Sequence, residues 1–394
     1  MFSYKLSPKQ PLIFRDGKPF GTDDNMADTL LFPLPSTIAG AMRTAWAETN
    51  EKDYKKSLKK SVIGPFLTCT DTETNTSQLL FPAPADAVCL KPKDKPESYI
   101  YRLTPQEIKE NEGVNLPSEK LKPVFMIQDI KGKPAKDSPK FWHQDKLTAW
   151  LLDDTSDQLT AKDQGVQNLP IETRTHVSIK PIEQTAKQGH LFQTAGLDFG
   201  RARHLEPEGN EKKQWGWENK EFGLACQFSG EIPETLRTIG GESRLGHIKK
   251  QDGLIPECPI DLSVAINKNR AFRLMLVTPA IFEKGYIPDF IGEETMQGTY
   301  HEVKLKLHAV AVNRWQAGTS WDMAIAASKK GKGMRSLKRL VPAGTVYWFE
   351  FLESENINVE SFWLTSIAGE RVRDGYGITL PGVWNIPVNI KQKG

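Results

Sequence analysis

The sequence predicts an α+β fold. Two strand–helix–strand groups carry that prediction, one opening near residue 2 and one near residue 270, with glycine- and proline-marked turns between their strands. The first group begins at residues 2–14, a loose alternation of apolar and polar side chains that runs into the Asp16-Gly17 turn. Pro33 and Pro35 stiffen the extended run that follows. A helix is expected over residues 36–49, with Ser36 as its N-cap, because a serine hydroxyl accepts from an orphan N–H of the first turn. Ile38, Met42, Ala45 and Trp46 recur at i, i+4, i+7 and i+8 and form one apolar face. Ser36, Gly40, Arg43 and Ala47 lie on another face, small apart from one guanidinium.

Residues 50–61 are lysine-rich and suit a solvated helix end and loop. Residues 78–90 are expected to form one strand with a proline-broken edge. From residue 91 to about 139, Lys, Pro, Asp and Glu dominate. That stretch reads as an insertion of surface loops, partly disordered, with a short helix near 105–111. Residues 145–153 have helical spacing through Leu147, Trp150 and Leu151. Residues 174–179 and 189–194 alternate on either side of a polar stretch, the signal of a hairpin with a tip at 180–189. Residues 222–228 suit a buried strand. In the second group, strands are expected at 270–277, 303–314 and 344–352. Residues 359–368 fit a helix or an extended segment equally, and 369–379 form a glycine-bearing turn. The expected domains are 1–265, with the insertion around 91–170, and 266–394.

A chain of 394 residues suffices for two or three cores. No apolar run approaches the roughly 20 residues of a membrane helix, and Met1-Phe2-Ser3-Tyr4-Lys5 lacks the basic-then-apolar signal pattern, so a cytosolic protein is expected. Cys69, Cys89, Cys226 and Cys258 are scattered, which favours reduced thiols over a zinc site or disulfide framework. No metal or other cofactor is expected. With 52 basic and 49 acidic residues, any nucleic-acid footprint must be local.

The strongest local charge feature is residues 329–339, six cations in eleven residues with no acid: Lys329, Lys330, Lys332, Arg335, Lys338 and Arg339. Its glycines leave backbone N–H groups room to meet phosphates, and it points to an RNA backbone over a merely solvated loop. The Gly369–Gly377 run offers Arg371 and Arg373 as charge, Gly375 and Gly377 for close approach, and Tyr376 to stack on a base. Alone, it is as often a tight hairpin turn. Gly240-Gly241-Glu242-Ser243-Arg244 suits either a guanidinium placed on RNA or a structural Glu–Arg pair. Arg201, Arg203 and His204 form a further small basic patch. A metal-free ribonuclease needs a general base on the 2′-OH and an acid on the leaving oxygen. His176 and His190 flank the hairpin and are the only pair that suggests itself. No nucleophile triad, paired carboxylates or Walker-type loop is identifiable.

Several of these runs occur together, in one order, along nearly the whole chain. They are Phe14-Arg15-Asp16-Gly17-Lys18-Pro19-Phe20, Phe32-Pro33-Leu34-Pro35-Ser36-Thr37 with Gly40 and Arg43, Gly240–Arg244, Thr278-Pro279-Ala280-Ile281-Phe282 and Val341–Tyr347. In this the chain resembles the RAMP-superfamily subunit of type III-B CRISPR (Cmr) effector complexes that holds the 5′ end of the guide RNA. The resemblance implies two ferredoxin-like (RRM-like) domains and a non-catalytic subunit that grips the 5′ handle of the crRNA. It implies docking to the large cyclase/polymerase-like subunit and to the backbone RAMP subunit, indirect contact with target RNA, and no membrane. Ser36, Thr37, Gly40 and Arg43 of the helix start, Gly241 and Arg244, the basic segment and the glycine-rich turn become the expected RNA contacts. The hairpin around 174–195, with Arg174 and His176, becomes the thumb that interrupts guide–target pairing. A guide-processing endoribonuclease of the same superfamily and a scaffold without RNA contact are the competing expectations.

Overall fold

The computed structural model of the chain describes residues 1–14, 26–27, 30–108, 111–155, 158–200, 220–320, 333, 335–353 and 357–386, with side chains except at 26, 27 and 190. The fold is α+β, with mostly antiparallel sheets and few helices. Two units are distinguished. One comprises Met1–Gln78, Asn168–Leu254 and Ala317–Lys338, the other Leu79–Gln167, Ile255–Gln316 and Arg339–Gly394.

In the first unit, Phe2–Pro8 lies between Lys220–Phe228 and Leu245–Lys250, and Lys220–Phe228 pairs on its far side with Val62–Asp71. All neighbours are antiparallel, and Thr235–Thr238 extends the edge beside Leu245–Lys250. Numbered along the chain, the four central strands stand in the order 4-1-3-2. Helix Pro35–Thr49 connects the first to the second and buries Ile38, Met42, Ala45 and Trp46, the expected apolar face. Trp46 packs where Gly230 leaves room: a Cβ there would lie 2.6 Å from the indole. Tyr4 fixes the neighbouring bend, its hydroxyl donating to the Gly230 carbonyl and accepting from the Ile232 N–H.

The helix start differs from expectation. Pro35 is its first residue and Leu34 the N-cap, with no side-chain capping bond, so Ser36 is not the cap. Proline's fixed φ and missing N–H suit the first helical position, and that preference displaces the serine by one residue. The hairpin forms from Ile171–Ile179 and Ala186–Leu197, with the tip confined to residues 180–185.

In the second unit the sheet runs Gln297–Tyr300, Val303–Ala311, Val346–Phe351, Ala271–Leu276, Thr379–Val383, again antiparallel throughout. Its last four strands repeat the order 4-1-3-2. Phe272, Leu274, Leu307, Tyr347 and Phe349 are fully buried and make its core. Helix Ile260–Asn269 ends at Arg270 in the left-handed region, and its Asn267 amide exchanges hydrogen bonds with the Ile357 backbone.

Residues 78–90 are two strands rather than one, Ser77–Pro82 and Ala87–Pro92, broken at the Asp86 bend. The described residues of 91–139 carry strands that their composition does not announce. Tyr99–Pro105 pairs with Ala87–Pro92, which pairs with Gly132–Pro134. Residues 106–108 are not helical. Tyr101 and Arg102 are buried, so an interior arginine stands where the composition suggests a solvated one. Residues 359–368, open between two readings, contain a single 3₁₀ turn, Val359–Phe362.

Candidate nucleic-acid interface

The first unit offers three of the expected contact regions. On helix Pro35–Thr49, Gly40 is exposed, and a Cβ added there would meet nothing within 4 Å, so a ligand can approach this backbone closely. Ser36 and Thr37 are half-buried in the first turn. Arg43 donates from Nε and a terminal nitrogen to the Lys60 carbonyl at 3.0 and 2.8 Å. It therefore ties the helix to the chain entering Val62–Asp71, a structural duty that the sequence left unassigned.

On the hairpin, direct cross-strand partners share a face, so Arg174, His176, Phe192 and Thr194 lie together. His176 Nε2 is 2.9 Å from the Thr194 hydroxyl, and its ring stacks on Phe192. Arg174 is paired with Glu172. The His190 side chain lies outside the described residues, so the proposed acid–base pair has one described member, and that member is held by a threonine and a phenyl ring. Arg244 reaches both Glu242 and Gln10, while the Gly241 N–H donates to the Ile13 carbonyl. The structural Glu–Arg pair is thus made at this turn.

Arg201, Arg203, Lys330 and Lys332 lie outside the described residues. Arg335 is half-buried, and its backbone is anchored through Ser320 and Thr319. Lys338 and Arg339 belong to strand Lys338–Leu340.

In the second unit, Arg339 is exposed and places its guanidinium 5.2 Å from the ring centroid of Trp315. Trp315 sits in the exposed run 312–316 that follows strand Val303–Ala311, beside Arg314. It escaped the sequence reading. The available signal was an Arg-Trp pair at the end of an alternating strand, inside a long stretch poor in acids. Between residues 303 and 349 the chain carries nine Lys and Arg and one acid, Asp322.

The glycine-bearing turn behaves as architecture. Gly375 and Gly377 have φ of +93° and +70°, and a Cβ on Gly377 would lie 2.6 Å from the Ala368 nitrogen. The Thr278 hydroxyl donates to the Gly375 carbonyl. Tyr376 is fully buried, so its ring is not presented to a base, which corrects its expected stacking role. The alternating small and polar residues around it gave no sign of which way the ring turns. Arg371 lies over that ring, and Arg373 is exposed.

Two other arginines of this unit, Arg102 and Arg273, are internal. Arg273 donates to Asp86 at 2.5 Å, to the Val383 carbonyl, and to the carbonyls of Trp150, in the last turn of helix Gln144–Leu152, and of Asp153, just past its end. Arg102 donates to the Trp150 carbonyl and lies 3.6 Å from Asp86, whose other oxygen accepts from the Trp150 indole. Cations at a helix C-terminus satisfy carbonyls that have no intrahelical partner. Burial, and then the charge of Arg273, pull Arg102 down to about 9, still charged at neutral pH. Among the described residues no group of three or more His, Cys, Asp or Glu is placed to hold a metal ion, and no helix is long and apolar enough to cross a membrane.

A family model described as CRISPR-associated protein (Cas_Cmr3) matches residues 4–384. The chain is also similar to a chain in the cryo-EM structure of the type III-B Cmr-beta bound to cognate target RNA. That match has 15% identity and a TM-score of 0.44 and covers 88% of this chain and 86% of the other. A second, in the same assembly with target RNA and AMPPnP in state 1, has 14% identity, a TM-score of 0.44 and the same coverage. No curated protein matches the chain.

Proposed function

The chain belongs to the Cas_Cmr3 family of CRISPR-associated proteins, and from that premise we propose that it is a crRNA-binding, non-catalytic subunit of a type III-B effector complex. In this reading it grips the 5′ handle of the guide and bridges the large cyclase/polymerase-like subunit to the backbone RAMP subunit. The observation that carries the proposal is the family match over nearly the whole length. The 4-1-3-2 antiparallel order in each unit supports reading both sheets as ferredoxin-like; one sheet falls in each of the proposed RAMP domains 1–265 and 266–394, although residues 79–167, assigned to the first by sequence, group with the second unit. The hairpin Ile171–Ile179 and Ala186–Leu197 is the proposed thumb. Single-stranded RNA is held by phosphate contacts and by splayed, stacked bases. Exposed Gly40 and the acid-poor stretch 303–349 with Arg339 supply the first and Trp315 a ring for the second.

The test is binding of guide RNA by the purified full-length chain in EDTA. Retention of intact RNA, weakened when the 5′ handle is removed, is the expected result. Cleavage to a 2′,3′-cyclic phosphate product, abolished by His176→Ala or His190→Ala, would replace binding by processing. Unchanged guide retention after joint replacement of Arg335, Lys338 and Arg339 would reduce the chain to a scaffold.

A further inference from the structure

We propose that Trp315 is a stacking platform for an unpaired base of single-stranded RNA, with Arg339 and Arg314 as the cations that hold the adjoining phosphates. The proposal rests on the RNA-holding reading above and adds a binding site to it.

Three observations carry it. The first is exposure. Tryptophan is normally highly buried, and here Trp46, Trp142, Trp150, Trp348 and Trp384 are buried and Trp363 is half-buried. Trp315 is 52% exposed, so burial in its own unit does not account for it. The second is its companion. The Arg339 guanidinium lies over the ring, and both groups are flat. Nucleobases stack on indole rings and on guanidinium planes alike, so this pair presents two surfaces of the kind a splayed base uses. The third is charge. Arg314 precedes the tryptophan and Arg339 lies over it, with no Asp or Glu among residues 303–320 and 335–349. Two guanidinium groups at one exposed indole favour an anionic partner. Tryptophan and arginine are also enriched at protein–protein interfaces, so capture of protein partners is measured alongside RNA binding.

A platform of this kind tolerates any base, because every base has a π face. It contributes affinity by stacking and leaves sequence reading to other contacts. The cations contribute separately, through counterion release. The two contributions are therefore distinguishable by salt.

The experiment titrates full-length wild type, Trp315→Ala, Trp315→Phe and Arg339→Gln into fluorescein-labelled guide RNA of the host's own repeat, read by anisotropy over a range of salt. Trp315→Ala is expected to weaken binding about 5- to 150-fold with an unchanged salt slope, and Trp315→Phe to keep most of the affinity. Arg339→Gln is expected to lower the log–log salt slope by about 0.7. Equal affinity of wild type and Trp315→Ala overturns the platform while the RNA-holding reading stands. No binding by wild type overturns that reading and the platform with it. Retained RNA affinity with lost capture of the purified neighbouring subunits assigns Trp315 to protein docking and likewise overturns the platform.

Discussion

In the second unit Arg102 lies over Trp150 with its guanidinium carbon 3.4 Å from the ring centroid, and Arg339 lies over Trp315 at 5.2 Å. The residue types are the same and their surroundings are opposite. Trp150 is 2% exposed and donates to Asp86, and its own carbonyl accepts from both Arg102 and Arg273. Every polar feature of that pair is turned inward. Trp315 and Arg339 face solvent. An arginine on an aromatic ring is thus no mark of ligand binding by itself. What separates architecture from an available surface is whether carboxylates and helix-end carbonyls have already claimed the guanidinium.

The sharpest test of this contrast is Asp86→Ala. It leaves two buried guanidinium groups without their shared carboxylate, and removing one partner of a buried ion pair costs about 3–5 kcal/mol. The midpoint of urea unfolding should fall accordingly, whereas Trp315→Ala and Arg339→Ala should stay within about 0.5 kcal/mol of wild type. A surface variant as damaging as Asp86→Ala would break the distinction.

Glycines divide in the same way. Gly377→Ala forces a side chain into the left-handed region and against the Ala368 backbone, an expected loss of about 1–3 kcal/mol. Gly40→Ala, on an exposed helical position with open space around it, should instead stabilise by about 0.5–1 kcal/mol. If guide RNA approaches that backbone, the same variant binds it more weakly; unchanged affinity would remove Gly40 from the interface.

The smallest expected effect concerns Asp154, beside the internal arginines. Burial raises its carboxyl above the ordinary value, and Arg273, its own bond from the Asn385 N–H and Arg102 oppose that shift only in part. Because the folded value lies above the unfolded one, the folded chain takes up this proton first as pH falls. The cost of holding the charge is full near neutral pH and fades as pH drops through the raised value toward the ordinary carboxylate range. Asp154→Asn should therefore show its largest gain in Tm over wild type near neutrality, with the gap closing in acid. A constant gap between pH 7 and pH 4 would sink the assignment.

Much of the architecture was legible because local rules and tertiary packing agree there. The apolar stripe of helix Pro35–Thr49, the hairpin alternation and strand Lys220–Phe228 each point one way. Strand Tyr99–Pro105 was missed because Arg102 interrupts its apolar run, and nothing local announces that Asp86 and the end of a distant helix will accept its hydrogen bonds. Ser36 was misplaced because two good helix-start signals stand side by side. The glycine-rich turn was legible as a turn, but the burial of Tyr376 was not, since the turn is fastened by contacts distant in sequence, such as Thr278 on the Gly375 carbonyl 97 residues later. Trp315 was invisible for the converse reason: an indole left outside the core resembles every other indole in a string of letters.

Arg273 has a consequence for how the second unit comes together. Its partners lie 110 to 187 residues away along the polymer, and none of them is a local neighbour. A partly assembled unit that has gathered the sheet but not the Asp86 bend strands a cation in a dry interior. Such halfway states are penalised, and assembly of this unit is correspondingly all-or-none.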